Sequence, residues 1–292
     1  MTLSAMNRPA PQLARAKINL ALHVTGQRAD GYHLLDSLVV FPEIGDVLTC
    51  RPGRRLELSL TGPFAQALAS DQDNLILKAA RTFSEAAGTP EPDLVFDLEK
   101  NLPVASGIGS GSADAAAALR LLQEAMGTSL APNKLAGVAL SLGADVPVCL
   151  ASCSARMGGI GELLTPAPAM PEADILLVNP GVGISTPAVF KSMESRANPE
   201  MPDIPDRFQS LSVLVSYLQH TRNDMQGAAE RLCPSVTQVI ETLKQDNHIA
   251  IARMSGSGAT CFGLAEAGKG ATAAQRIRSV QPGWWVASAP LG

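Results

Sequence analysis

The sequence predicts an α+β protein of two medium-sized domains. Its 292 residues exceed what one ordinary core holds. Strands and helices mix without the strict βαβα alternation of a doubly wound sheet. A Gly/Ser-rich segment, Pro103 to Ala117, also runs straight into an alanine-rich helix. A boundary near Ala155 divides the chain into residues 1–155 and 156–292. The 46% apolar and 17% charged residues belong to an ordinary folded chain. A formal net charge of −4 excludes a broad nucleic-acid surface more strongly than a phosphorylated small molecule, which needs only a few local cations.

The elements follow in order. The first dozen residues, rich in Pro, Ala and Asn, form a loose lead-in. From Arg15 the residues alternate: Ile18, Leu20, Leu22 and Val24 share one face, and Lys17, Asn19, Ala21 and His23 the other. Period two predicts a half-buried strand with Lys17 and Asn19 side by side. Thr25 to His33 reads as a loop. Strands follow at Ser37–Val40, Val47–Cys50, Leu56–Leu60 and Leu94–Leu98. A helix spans Asn74–Ala87, with Asp73 as N-cap and Gly88 past its end. Helices are expected at Ala113–Met126, stopped by Gly127, and at Pro132–Leu142, started by proline and stopped by Gly143. Asp174–Asn179 is a short apolar strand, and Thr186 caps a helix with Pro187 at its first position. Pro199–Pro205 is a surface loop. Helices at Leu211–His220, Asp224–Leu232, Ser235–Gln245 and Ala271–Val280 alternate late in the chain with strands at Ile249–Met254, Thr260–Leu264 and Trp284–Ala287.

Three segments carry chemistry. In Pro103–Ala117, Gly107, Gly109 and Gly111 alternate with Ser110 and Ser112 just before a helix. Glycine lets backbone approach a ligand closely, and the free N–H groups of a helix start favour an anion. The segment is built to hold phosphate. It is no dinucleotide fingerprint, because Ser112 stands where the third glycine belongs. Gly263, Gly268 and Lys269 approach a P-loop, but Gly270 replaces the Ser or Thr that Mg²⁺ needs, so that stretch reads as a strand-to-helix turn. The second segment, Met254 to Thr260, holds Gly256 and Gly258 between two strands, either as a hairpin turn or as a second wall for phosphates. The third, Leu142 to Val148, sets Asp145 in a constrained turn, with Pro147 keeping the chain from re-entering a helix. An aspartate there bonds its own backbone or serves as a general base, and Lys17 would be a sensible partner.

Together these segments resemble the GHMP kinases, the family of galactose, homoserine, mevalonate and phosphomevalonate kinases. PVASGIGSGSADAA is similar to their second motif and MSGSGAT to their third. ARAKINLALHVTGQRADGYHLLDSLV, LGADVPV and NPGVGISTPAVF resemble the branch whose acceptor is a cytidine-diphosphate derivative of methylerythritol, an isoprenoid precursor. The likeness runs from about Arg15 to Phe262. It implies the two-domain GHMP kinase fold with the active site in the cleft between domains, an ATP-binding N-terminal domain, and ATP as phosphoryl donor. Asp145 matches the catalytic aspartate and Lys17 the lysine beside it. Asn19 matches a substrate-positioning residue. Tyr32 and His33 match residues holding the cytosine by stacking and edge contacts, with Phe190 on its other side and Thr186 nearby. Asn74 and Lys100 match positions at the adenine end, and Pro103, Gly107, Gly109, Ser110, Gly111, Ser112, Gly256 and Gly258 the nucleotide loops. Where several family members carry a Mg²⁺-binding serine, this chain has Gly111, so Mg²⁺ is expected to ride on the ATP phosphates without a protein ligand.

The remaining expectations are brief. Five scattered cysteines make no disulfide framework, and Cys149 and Cys153 read as buried thiols rather than metal ligands. No basic start precedes an apolar run, and no stretch reaches membrane-spanning length, which predicts a cytoplasmic protein working as a monomer or weak homodimer. Another GHMP kinase, or a catalytically silent sensor on the same fold, is the alternative. The Tyr32, His33 and Phe190 aromatics weigh against the first, and the Lys17 and Asp145 pair against the second.

Overall fold

The computed structural model describes residues 9–68 and 74–292. These fall into two interleaved compact units. Unit 1 takes in the chain up to Ala16, Gly45–Val104 and Gly109–Ala151, and unit 2 comprises Lys17–Ile44, Ala105–Ile108 and Ser152–Gly292. The mixed α and β content matches the predicted fold class.

Unit 1 is built on a four-stranded sheet in the order β1 (Gln12–Arg15), β4 (Gly45–Pro52), β6 (Leu94–Glu99), β5 (Glu57–Thr61), in which only the β5–β6 pair is parallel. Helices α1 (Leu75–Ala87), α2 (Ser110–Met126), α3 (Pro132–Leu142) and α4 (Val146–Ala151) complete the unit. Alanines 115 to 118 of α2 are fully buried, so a small-residue helix can lie close against its neighbours. The loose start expected over the first dozen residues is corrected at Gln12, where β1 begins and pairs with β4. The predicted cap Asp73 lies outside the described residues. Asn74 is the N-cap of α1, its side chain accepting the Ile76 N–H at 2.9 Å, and Gly88 closes the helix at φ 69. Helix α2 starts at Ser110, one turn ahead of expectation, because Gly109 takes the left-handed conformation that turns the chain into it.

The expectation that Pro147 blocks a helix is overturned by α4. Proline at the second helical position gives up an N–H that has no intrahelical acceptor there, so it is tolerated in a first turn. Asp145 immediately precedes this helix, and its carbonyl accepts the Cys149 N–H at 3.1 Å.

Unit 2 holds two antiparallel sheets. One has the order β2 (Ile18–Gln27), β3 (His33–Val40), β7 (Ala155–Gly158), β8 (Leu163–Pro166). The other runs β10 (Ile249–Met254), β11 (Cys261–Glu266), β9 (Ala173–Asn179), β12 (Trp285–Pro290). Helices α5 (Thr186–Ser192), α6 (Leu211–Gln219), α7 (Gln226–Leu232), α8 (Ser235–Lys244) and α9 (Gly270–Val280) surround them. The half-buried reading of β2 is corrected: every residue from Ile18 to Val24 is buried, and bulges flank Leu20 and Thr25. A polar side chain on such a strand must therefore find partners inside the protein. The loop expected at Thr25–His33 shrinks to a tight connection at residues 28–32, closed by Arg28 donating to the Tyr32 carbonyl at 2.8 Å. At α5 the cap position belongs to Ser185, with Thr186 the first helical residue. The P-loop-like stretch is a strand-to-helix turn, and the Gly270 N–H that opens α9 donates to Asp174 Oδ2 at 2.8 Å. Cys153 is exposed, against the expected buried thiol, while Cys149 is buried. Among the described residues no helix is long and apolar enough to cross a membrane.

Two buried polar groups pin β2. Arg253 donates to the carbonyls of Leu20, Leu218 and Thr221 and to the Thr221 hydroxyl. His23 Nε2 accepts the Arg222 N–H at 3.1 Å, so Nδ1 carries the proton and donates to the Pro199 carbonyl at 2.9 Å. Burial, reinforced by the Arg222 charge, holds this imidazole below the ordinary histidine range. The unfolded chain therefore takes up this proton at higher pH than the native one. His23 contributes full stability above about pH 6.5, and that contribution is lost as pH falls from there towards its lowered native pKa. The melting temperature is expected to drop between pH 7 and 5.5, with a shallower slope in His23→Gln. Equal slopes in the two proteins would remove His23 as the cause.

Candidate active site

In unit 1 the predicted nucleotide residues gather at the start of α2. Helix geometry leaves the N–H groups of Ser110, Gly111 and Ser112 without intrahelical acceptors, at the positive end of the helix dipole. Gly111 is exposed there, Ser112 half-buried and Pro103 buried. Lys100, at the exit of β6, is 1% exposed and donates to Asp46 Oδ2 at 2.5 Å, Asp114 Oδ2 at 2.7 Å and Ser110 Oγ at 3.1 Å. Burial works against its charge, but the carboxylates of Asp114 and Asp46 more than offset it and raise the lysine's pKa. Burial pushes the Asp114 carboxyl upward despite the adjacent ammonium. Its Oδ1 is buried with no hydrogen-bond partner. Asn74 is buried in its capping role, and Asp145 stands half-buried at the start of α4.

In unit 2 residues 105–108 of the Gly/Ser segment interlock with the Met254–Thr260 turn. Thr260 N–H donates to the Ser106 carbonyl at 3.1 Å, and Lys17 N–H to the Ile108 carbonyl at 2.9 Å. A Cβ on Gly107 would stand 2.6 Å from the Gly258 nitrogen, and one on Gly256 would strike the Gly107 carbonyl. Gly107, Gly256 and Gly258 all have φ between 53° and 82°. These glycines are therefore required both for close approach and for left-handed backbone. Ser255 Oγ accepts the Asn19 N–H at 3.1 Å and donates to the Gly107 carbonyl at 3.2 Å, tying β2 to both loops. The Asn19 amide donates to Ser37 Oγ at 2.7 Å and leaves its own Oδ1 buried without a partner. Lys17 is buried at the entrance to β2.

The predicted base-binding residues also meet in unit 2. The His33 ring lies flat on Phe190, centroids 3.9 Å apart and 6° from parallel, while Tyr32 is 58% exposed. Burial, with Arg196 adding to it, lowers the His33 pKa, and its Nε2 has no partner. Both rings line two adjoining cavities. One, of about 450 Å³, adds Gln27, Thr186, Lys191 and Arg196, and the other, of about 380 Å³, adds Asp30, Tyr32 and Ile160. Thr186 Oγ1 bonds Ser257 Oγ at 2.7 Å, joining this region to the Gly-rich turn. A larger cavity of about 790 Å³, by the start of α6, contains none of the predicted site residues.

Comparison with known proteins decides the family. Residues 74–152 match the GHMP kinases N terminal domain, and residues 206–282 the GHMP kinases C terminal domain. The chain is 52% identical over 282 residues to the 4-diphosphocytidyl-2-C-methyl-D-erythritol kinase of Paracoccus denitrificans, covering 96% of each chain. The chain belongs to the GHMP kinases. A protein of the same name from Roseobacter denitrificans is 49% identical over 98% of this GHMP kinase and 96% of its relative. A crystal structure of 4-(cytidine 5'-diphospho)-2C-methyl-D-erythritol kinase superposes with a TM-score of 0.78 at 31% identity, covering 97% of this chain and 100% of the other. Homoserine kinase from Cytophaga hutchinsonii shares the fold at TM-score 0.71 and 16% identity, covering 100% and 98%.

Sequence reasoning missed Asp46, Asp114, Ser255, Lys191 and Arg196 in this GHMP kinase. A lone aspartate in an alanine-rich helix, or a lysine on a short helix, carries no periodic signal that separates it from a solvated residue. Ser255 lay within a recognised segment and was passed over for its glycines. Ser255→Ala orphans the buried Asn19 N–H, a loss of about 1–3 kcal/mol. A measurably lower melting temperature is expected, and an unchanged one would show that β2 does not depend on this tie.

Proposed function

We propose that the protein is an ATP-dependent kinase of the 2-hydroxyl of 4-diphosphocytidyl-2-C-methyl-D-erythritol, acting in the methylerythritol phosphate pathway of isoprenoid precursor synthesis in the cytoplasm. The observation that carries this is 52% identity with a kinase of that name, over 96% of both chains. The same acceptor accounts for local features that a mevalonate or homoserine kinase does not need. The His33 and Phe190 rings stack directly on each other and leave no room for a base between them, so the expected placement of Phe190 across the base from His33 is corrected. A planar base with polar edges fits against an outer face of the pair, in the cavities lined by Tyr32, Gln27 and Thr186. Lys191 and Arg196 supply positive charge for a diphosphate.

The residue roles follow from chemistry. The α2 start offers backbone N–H groups and hydroxyls, a donor set that fits phosphate oxygens. Mg²⁺ enters on ATP as the MgATP substrate. Asp145 takes the proton of the acceptor alcohol, and Lys17 is the cation that lowers that alcohol's pKa. Asn19, its side chain held by the hydrogen bond to Ser37, positions the substrate. Phosphoryl transfer then passes through a loose transition state in which positioning and charge neutralisation carry most of the rate.

ADP release from the purified protein, MgATP and the cytidine compound tests the reading, with mevalonate, homoserine and galactose as competing acceptors. Turnover confined to the cytidine compound is expected. Turnover of another acceptor would discard the base site, and binding without turnover would identify a sensor. Asp145→Asn is expected to lower kcat by about a hundredfold or more with ATP affinity retained; full turnover in that variant would remove Asp145 as the base. Phe190→Ala should raise the acceptor KM about tenfold, the loss of one stacked base. An unchanged KM would place the cytosine elsewhere.

A further inference from the structure

Lys100 matches a position at the adenine end of the nucleotide site, yet its ammonium is already committed. A lysine has three protons and no lone pair. Here they meet Asp46 Oδ2, Asp114 Oδ2 and Ser110 Oγ. The arrangement is anchored, because Asp46 Oδ1 also accepts the N–H groups of Asn101, at 2.6 Å, and Leu102, at 2.8 Å. Those two residues lie just ahead of Pro103, where the Gly/Ser segment begins. Asp114 and Ser110 belong to the first two turns of α2, where the segment ends. One buried ammonium thus joins both ends of the segment.

The consequence falls on Ser110. It opens α2 and is 8% exposed. Its oxygen accepts from Lys100, and a hydroxyl has only one proton of its own. Since an ammonium cannot accept, that proton must go elsewhere. Among the described residues the bond from Lys100 is the hydrogen bond recorded at Ser110 Oγ. The acceptor that suits it is an anionic oxygen at the helix start, beside the N–H groups of Gly111 and Ser112.

We propose that Lys100 is a positioning residue for the phosphoryl donor, holding Ser110 Oγ as a committed hydrogen-bond donor to an ATP phosphate oxygen, with Asp46 and Asp114 fixing the ammonium. This rests on the reading of the α2 start as the ATP phosphate site. It assigns Lys100 to the phosphates, acting through Ser110, in place of direct contact with adenine.

The test is a double-mutant cycle read as the ATP dissociation constant, measured by calorimetry with MgATP and no acceptor. Ser110→Ala is expected to weaken binding about tenfold or more, the loss of a hydrogen bond to a charged group, while Ser110→Thr keeps most of it. Lys100→Met should weaken binding similarly, and the double variant should be no worse than Ser110→Ala alone. In steady-state kinetics the loss should appear in the KM for ATP and not in the KM for the acceptor. Should Lys100→Met fail to fold, the cycle is run on an Asp114→Asn background, where one of the two buried carboxylates is neutral. Unchanged ATP affinity in Ser110→Ala, or losses that multiply in the double variant, would overturn the proposal. A wild-type protein that binds ATP but does not phosphorylate the cytidine compound would remove the acceptor assignment and leave this test standing.

Discussion

Gly107 sits where its backbone and that of the Ser255–Gly258 turn leave no room for a side chain, since a Cβ there would lie 2.6 Å from the Gly258 nitrogen and from the Ser255 carbonyl. Much of unit 2 is referenced to that close approach. It fixes the height at which Ser255 Oγ meets the Asn19 N–H, and so the register of β2 against the turn. The Ser106 and Ile108 carbonyls are in turn taken by Thr260 and Lys17. From the same turn, Ser257 reaches Thr186 at the head of α5, the helix that carries Phe190. The glycines thus act as a datum for elements remote in sequence. A loop defined by its neighbours' backbones, and not by flexible side chains, presents its donors without reorganising when a ligand arrives, the condition under which electrostatic stabilisation is strongest.

The buried charges divide into two kinds. Among the described residues Arg253 has no acid partner. Burial lowers its pKa to about 10, and four carbonyl and hydroxyl contacts take up its guanidinium, which thereby cross-links β10 to β2 and the end of α6. Lys100 has two carboxyl groups around one ammonium in a site where solvation is lost, and burial pushes one of them, Asp114, towards its neutral form. Hydrophobic residues would fill either place at lower electrostatic cost. What they could not do is fix directions. An ammonium with three named acceptors determines where a helix start lies relative to a strand end, and a guanidinium spanning three carbonyls does the same for a strand. Both networks border the segments that carry the proposed chemistry, which is where directional precision has a use.

The elements were legible where local chemistry announces them. Gly88 ends α1, Gly127 ends α2, and the apolar run ending at Asn179 is β9. The hairpin of β7 and β8 was not legible, because four-residue strands around Gly158, Gly159 and Gly161 show neither alternation nor an apolar run. Period two misled at β2, since a strand covered on both faces keeps its polar residues for internal bonds and no longer reports an outside. Pro147 misled at α4 because a proline reads as a breaker unless the helix start is known to fall just before it. At the site, glycines and serines in a row suggest phosphate-binding backbone, the role proposed for them above. The Lys100, Asp46 and Asp114 cluster was not legible, for its members are separated in sequence and meet only when β4, β6 and α2 are packed.

The simplest way for a chain with net charge −4 to handle highly anionic substrates is to place cations wherever phosphate goes. The arrangement here is different. At the start of α2 the nearby lysine is consumed by aspartates, and the groups turned outward are N–H dipoles and hydroxyls. Dipoles of that kind are weak at long range and strong at contact, so they select a ligand already docked in the correct geometry. Cationic character lies instead around the cavities beside Phe190, where Lys191 is exposed and the half-buried Arg196 guanidinium donates to the Phe190 and Lys191 carbonyls. Such charges act at a distance and can draw in a diphosphate before any base is stacked. On the proposed function, attraction by cations and registration by backbone donors are separate tasks, and a few local groups suffice for each in a protein of acidic overall charge.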